Sequence, residues 1–322
     1  MPSARELLRD AAQALRAAGV PSPEVDAELL LAHATARPRA TLRLLDPQVP
    51  AEQAAAFEAM VAQRAGRLPL QHLTGRAPFR HLELSVGPGV FIPRPETELV
   101  IDLVLGHLEE ARHGPDTPAA PGTLLVDLCT GSAALALALA TEVPGSAVHA
   151  VELDAEAVGW ARRNASEHAA PVAAAGSSLA IHHADATTAA EVGGPLAALR
   201  GLVDVVVSNP PYVPDAAIPR EPEVRDHDPH VALFGGPDGL AVVRPLAEQA
   251  ALLVRPGGLV LIEHADVQGE AAGGLGVPAL LRAQPDPGER AAPAWRWVAD
   301  HEDLAGRPRI TAAVRAGGRM AP

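Results

Sequence analysis

The chain has 322 residues, 48% hydrophobic and 20% charged, with a formal net charge of −13. That composition excludes a disordered chain and leaves room for two domains or one large one. So acidic a surface, without an arginine run, repels phosphate backbones, and a single cysteine, Cys129, excludes an internal disulfide and a cysteine-based zinc site.

Residues 1–74 read as helical. Ser3 and Glu6 make a capping box ahead of Leu8, Ala12 and Leu15, and Gly19 is the stop. Ser22-Pro23 opens a second helix, Ala40 to Leu45 supply a third, and Pro50 opens a fourth that ends near Gly66. The opening residues carry no secretory apolar stretch, and the longest apolar run, Ala133 to Ala140, is far short of a membrane span. A soluble cytoplasmic protein without a membrane partner is expected.

Residues 75–92 alternate from Phe79 to Val86 and then reach Gly87-Pro88-Gly89, which predicts a hairpin joining two domains. Residues 93–322 alternate strand and helix. A helix is predicted from about Glu96 to Ala111, then a surface loop from Arg112 to Gly122. Strands are predicted at Leu124–Leu128, Ala147–Glu152, Ala180–His183, Val203–Ser208 and Leu259–Glu263, with helices at about 132–142, 154–168, 189–199 and 239–254. Trp295–Asp300 and Arg309–Arg315 read as an antiparallel edge pair. The pattern predicts an α/β, doubly wound, Rossmann-like domain with ligands at the strand carboxyl ends, preceded by a small helical bundle.

Four polar residues close four successive strands: Asp127, Glu152, Asp185 and Asn209. A dinucleotide site wants G-x-G-x-x-G after the first strand. Here that loop is Asp127-Leu128-Cys129-Thr130-Gly131-Ser132-Ala133, which keeps one glycine and leads with an acid. An acid suits S-adenosylmethionine, which presents a sulfonium and an ammonium instead of phosphates. Thr130 and Gly131 supply the loop contact, Glu152 is placed to accept the ribose hydroxyls, and Asp185 falls beside the adenine amino group.

The fourth strand leads into Asn209-Pro210-Pro211-Tyr212, which contains the chain's one tyrosine. The asparagine oxygen and a proline-flanked carbonyl suit the two hydrogens of a planar amino group, and the prolines hold the loop open. The ring offers a flat wall. Methyl transfer to an amide or exocyclic amine nitrogen fits these parts.

Beyond these, the chain carries Phe91-Ile92-Pro93-Arg94-Pro95-Glu96-Thr97-Glu98, Ala232-Leu233-Phe234-Gly235-Gly236-Pro237-Asp238-Gly239-Leu240 and Asp303-Leu304-Ala305-Gly306-Arg307. With these motifs it resembles, over nearly its whole length, the protein-(glutamine-N5) methyltransferases that modify peptide chain release factors, the HemK/PrmC family. The resemblance implies S-adenosylmethionine as cofactor and a release factor as protein partner, methylated in a Gly-Gly-Gln loop. It gives Asn209 and Pro210 the amide, has Phe91, Pro211 and Tyr212 wall the substrate, and places Arg94, Glu96 and Thr97 at the junction of hairpin and cofactor site. It requires no metal, and His182, His183, His227 and His230 read as loop or surface histidines.

Three positions depart from the family pattern. The loop D-x-G-T-G-S-G has Cys129 at its first glycine and Ala133 at its last, and E-x-G-x-x-Q has Ala265 at its glycine in Glu263 to Gln268. Ala133 is expected to enter its helix without strain, its methyl group taking space near the ligand. The departures bear on cofactor affinity more than on cofactor identity.

Two alternatives stay open here. The Asn-Pro-Pro-Tyr peptide also serves adenine-N6 and guanine-N2 methyltransferases, although the net charge of −13 leads us to expect no direct nucleic-acid binding. Cys129 and Ala133 raise a binding paralogue impaired in its cofactor site.

Overall fold

The computed structural model describes residues 1–112 and 122–317. The chain divides into two compact units: Met1–Ala77 with Val86–Pro88 and Ile218–Asp228, and Pro78–Ser85 with Gly89–Ala217 and the chain from Pro229 on.

The first unit is helical, with α1 (Ala4–Ala17), α2 (Pro23–Thr35), α3 (Arg39–Leu45), α4 (Ala51–Ala65) and α5 (Leu70–Thr74). The capping box forms: Glu6 N–H donates to Ser3 Oγ at 3.3 Å, and Ser3 N–H donates to Glu6 Oε2 at 2.9 Å. Helical spacing turns Leu7, Leu15, Leu30, Leu31 and Phe57 into one core. Each contributes about 1.5–3 kcal/mol by leaving water, and Phe57→Ala would cost about 3–5 kcal/mol through the cavity left behind.

A hairpin follows, β1 (Arg76–Phe79) paired with β2 (Leu82–Ser85). Its turn residue Arg80 holds φ of 54° and is pinned by Glu142, through Nε at 3.0 Å and Nη2 at 2.6 Å, and by Asp102 at 2.7 Å.

The second unit contains, among the described residues, α6 (Glu98–Arg112), α7 (Ala134–Glu142), α8 (Ala155–Glu167) and a seven-stranded sheet of β3 (Leu124–Leu128), β4 (Ala147–Glu152), β5 (Ser178–His183), β6 (Val203–Ser208), β7 (Val254–Glu263), β8 (Trp295–Glu302) and β9 (Pro308–Arg315). The strand order is β5-β4-β3-β6-β7-β9-β8. β3 to β7 pair in parallel; β9 is antiparallel to both β7 and β8. The chain runs outward from β3 to β5 and then crosses to β6, so the order reverses between β3 and β6. That reversal opens a crevice at their carboxyl ends. Alternate strand residues bury on opposite faces: Leu125, Val205 and Leu261 against α6 and α7, and Val126, Val206 and Val260 against the helix Val243–Leu253. Burial on both faces explains the unbroken apolar runs. The Ala133–Ala140 run is a buried helix entry, and among the described residues no helix is long and apolar enough to cross a membrane.

The structure corrects the predicted helix at 189–199. That segment is turns ending in a 3-10 turn at Ala197–Leu199. Gly193, Gly194 and Pro195 interrupt it, and a Cβ on Gly194 would meet the Ala189 carbonyl oxygen at 2.4 Å. Short helices at Pro222–His227, His230–Leu233 and Val277–Ala283 escaped the periodicity because one or two turns give no repeat. Of the loop expected from Arg112 to Gly122, positions 113–121 lie outside the described residues.

Candidate active site

The loop after β3 is held from behind. Asp127 is fully buried, and its Oδ2 accepts the Thr130 hydroxyl at 2.5 Å. Its Oδ1 makes no hydrogen bond. Burial pushes this carboxyl up to about 7, against the pull of the Thr130 hydroxyl. Thr130 N–H reaches the Val151 carbonyl at 3.0 Å. Asn164 of α8, also fully buried, donates to the carbonyls of Ser132 at 2.9 Å and Ser85 at 3.0 Å and accepts Ser85 N–H at 2.7 Å. It ties the loop to the hairpin. The sequence reading missed it, since a lone helical asparagine carries no signal of its own.

Three successive odd positions of this loop are left-handed: Cys129 at φ 63°, Gly131 at 57° and Ala133 at 67°. Ala133 therefore does not enter α7 without strain. It caps the helix in a conformation that costs a residue bearing a Cβ about 1–2 kcal/mol. Both departures from glycine sit where glycine is the unstrained choice. Burial raises the Cys129 thiol far above its usual range, so it stays a neutral thiol.

Glu152 closes β4. Its Oε2 accepts Gly131 N–H at 2.8 Å, and its Oε1 accepts Leu153 N–H and Asp154 N–H, each at 2.9 Å. Asp185, after β5, uses Oδ1 to accept the Thr187 N–H at 2.8 Å and hydroxyl at 2.6 Å.

β6 is locked to β3 by the Ser208 hydroxyl donating to the Leu128 carbonyl at 2.6 Å. Asn209 comes next, and its Nδ2 donates to Thr97 Oγ1 at 3.2 Å. Thr97 in turn donates to Glu263 Oε2 at 2.7 Å, and the Tyr212 hydroxyl donates to Glu263 Oε1 at 3.1 Å. Burial raises both the Glu263 carboxyl and the Tyr212 phenol above their ordinary ranges. The Tyr212 carbonyl accepts from Gln268 Nε2 at 3.0 Å. Close approach explains two glycines here: a Cβ on Gly239 would meet that carbonyl at 2.2 Å, and one on Gly235 would meet the Pro211 carbonyl at 2.5 Å. The motif residues Glu263 and Gln268 had no role assigned from sequence, because their partners lie far away in the chain.

These elements enclose a cavity of about 300 Å³ at the carboxyl edge of the sheet. Phe91, Thr130, Gly131, Glu152, Asp185, Asn209 and Pro211 all line it. Asp127 stands behind the loop and is not part of the wall. Pro210 is buried, Tyr212 turns its hydroxyl to Glu263, Glu96 is exposed, and Arg94 stacks on the Phe91 ring at 5.0 Å. Among the described residues, no three His, Cys, Asp or Glu side chains converge as metal ligands. A wall bearing three carboxylates, Glu152, Asp154 and Asp185, and no phosphate cradle fits a cationic, ribose-bearing group better than a pyrophosphate.

Residues 6–75 match the model of the PrmC N-terminal domain, and residues 102–221 match that of the methyltransferase small domain. A release factor glutamine methyltransferase of Streptomyces coelicolor is 46% identical over 96% of this chain and 98% of its own length. One from Mycolicibacterium smegmatis is 44% identical over 98% and 99%. Among solved structures, the Thermus thermophilus 16S rRNA N2 G1207 methyltransferase in complex with AdoMet and guanosine aligns at 20% identity with a TM-score of 0.45, covering 74% of this chain and 49% of that one.

Proposed function

The chain belongs to the release factor glutamine methyltransferase family, and we propose that it methylates the side-chain amide nitrogen (N5) of a glutamine in a peptide chain release factor, with S-adenosylmethionine as donor. The observation that carries this reading is Asn209 on the cavity wall with one Nδ2 hydrogen donated to Thr97, an orientation that leaves Oδ1 as an acceptor for the substrate. When bound, S-adenosylmethionine supplies an electrophilic methyl group. Glu152 would hold its ribose hydroxyls, the 129–133 loop its methionine portion and Asp185 its adenine side.

A glutamine amide is a poor nucleophile because its lone pair is delocalised into the carbonyl, and no ordinary base removes its proton. The task of the protein is alignment and exclusion of water. Asn209 Oδ1 accepts one amide N–H and the Pro210 carbonyl the other, so the nitrogen lone pair is aimed along the line of transfer. Such alignment supplies roughly 7–11 kcal/mol of the barrier. As positive charge grows on the nitrogen, both acceptors bind it more strongly than in the ground state, and the methylated nitrogen, by then strongly acidic, gives up its surplus proton to water. Phe91 and Pro211 wall the amide from water.

The helical unit of residues 1–74 serves recognition of the release factor, with residues 75–92 as the link to the catalytic domain at 93–322. This substrate places the protein in the cytoplasm. The net charge of −13 supports a protein substrate over a nucleic acid. The test is mass spectrometry of a release factor incubated with the protein and cofactor. One added methyl group on the Gly-Gly-Gln glutamine is expected; a release factor left unchanged beside a methylated RNA would overturn the reading.

A further inference from the structure

We propose that Glu263 is a positioning residue whose negative charge fixes the polarity of the Asn209 amide, so that Asn209 presents an acceptor to the substrate. The proposal rests on the reading that Asn209 receives the glutamine amide.

The argument is one of proton counting. Glu263 ends β7, and Ser208 pairs with Ile262 across the β6–β7 ladder, so Glu263 and Asn209 leave neighbouring strands side by side. Glu263 is 1% exposed and meets two hydroxyls, Thr97 at 2.7 Å and Tyr212 at 3.1 Å. An ionised carboxylate only accepts. The single Thr97 proton must therefore point to Glu263, and only the Thr97 lone pairs remain for Asn209. Asn209 answers with its NH₂, at 3.2 Å, and its oxygen is turned away from Thr97.

A neutral acid at 263 removes that constraint. Its O–H can donate to Thr97, whose own proton is then free to point to Asn209. The Asn209 amide turns over to accept it and offers the cavity an NH₂. Two NH₂ groups then face each other, and the substrate amide loses its acceptor. The charged and titratable groups facing Glu263 are Arg309, which favours its ionised form, Glu96, which opposes it, and the Tyr212 phenol with Arg94 beyond it. Burial raises the Glu263 pKa, which brings the reversal closer to working pH.

The test compares Thr97→Val, Thr97→Ser and Glu263→Gln with the wild type, reading kcat, KM for the release factor, cofactor Kd, thermal midpoint and the ¹⁵N side-chain amide resonance of Asn209. Thr97→Val keeps shape but breaks the relay, and kcat should fall by about 10- to 100-fold with cofactor Kd within about twofold. Thr97→Ser keeps the hydroxyl and should restore most of kcat. In the wild type, kcat and the Asn209 resonance should change together as pH falls through the Glu263 titration, and both dependences should vanish in Glu263→Gln. The Thr97→Val/Glu263→Gln double variant should be no slower than Thr97→Val alone, since both break one relay. Should Glu263→Gln not fold, the Thr97 pair carries the test. A Thr97→Val enzyme at wild-type kcat, or a Thr97→Ser enzyme as slow as Thr97→Val, overturns the relay. If the wild type leaves the release factor unmethylated, the proposed function fails; an Asn209 resonance insensitive to Glu263→Gln refutes the relay separately.

Discussion

Arg67 and Glu223 are joined by two parallel hydrogen bonds, Nε to Oε1 at 2.8 Å and Nη2 to Oε2 at 2.6 Å, across 156 positions of sequence. Arg67 holds φ of 68° just past α4, where glycine would be unstrained. The ion pair offsets that strain. Arg64 adds a second guanidinium to Glu223 at 2.7 Å while its Nε binds Asp26 at 2.7 Å, and its side chain is only 6% exposed. This network fastens residues 218–228 into the helical unit, a few residues after the Asn209–Tyr212 peptide.

Glu223→Ala should leave Arg67 without a carboxylate partner and Arg64 with Asp26 alone, and destabilise the protein by about 2–3 kcal/mol, between the values of exposed and buried pairs. Burial pushes the Glu223 carboxyl up, but hydrogen bonds from Arg67 and Arg64 outweigh it and bring its pKa down to about 2 from an ordinary 4.5. A depressed folded-state value means stability that is complete above the unfolded pKa and lost as pH falls toward 2. The gap in thermal midpoint between wild type and Glu223→Ala should therefore narrow from pH 5 downward. A gap independent of pH would show that the charge of Glu223 contributes nothing.

Glu152 accepts three backbone N–H groups, and a carboxylate has about four acceptor positions. Accepting both ribose hydroxyls means sharing or exchanging at least one of them. Glu152→Ala removes the ribose acceptors and frees Gly131 N–H together. Cofactor Kd by isothermal titration should rise about 100-fold, from charged hydrogen bonds worth about 1.5–3 kcal/mol each. An unchanged Kd would remove Glu152 from the cofactor site.

Cys129→Gly and Ala133→Gly should each stabilise the protein by about 1 kcal/mol, since relief of a left-handed Cβ exceeds the entropy that glycine adds to the unfolded chain. Denaturant midpoints measure this directly. Ala133 is fully buried and off the cavity wall, so Ala133→Gly should leave cofactor Kd little changed. Two destabilised variants would mean that the loop accommodates these side chains without strain.

The same loop marks where sequence stops being legible. The acids and Asn209 at the strand ends could be read because period-two burial and chain alternation fix which residues close each strand. Backbone sign at Cys129 and Ala133 could not, since a cysteine or alanine gives no hint of positive φ. Nor could the relay, because Thr97 and Glu263 are separated by 166 positions and only the fold aligns their oxygens. Asn164, Arg67 and Glu223 share that character: each is an ordinary surface-type residue until a remote partner turns it inward. The segment at 189–199 failed for the opposite reason, its apolar content being read over its own glycines and proline.

Asn209 itself offers the sharpest contrast between two substitutions. Asn209→Ala removes the acceptor and leaves one substrate N–H unsatisfied, at about 1–3 kcal/mol. Misalignment adds to this, so kcat should fall by roughly 100-fold or more while cofactor Kd changes little. Asn209→Asp keeps the acceptor and the shape but cannot donate to Thr97 when ionised, and Thr97 has no second proton to give. The new carboxylate also lies near the buried Glu263 through that one hydroxyl. Two acids in such a place share a proton, and the protonated pair restores the pattern that asparagine supplies. Asn209→Asp should therefore be slow at high pH and recover as pH falls, against the trend of the wild type. Activity of Asn209→Asp that falls with pH as the wild type does would contradict the shared proton. An Asn209→Ala enzyme near the wild-type rate would reduce the Asn-Pro-Pro-Tyr peptide to a turn.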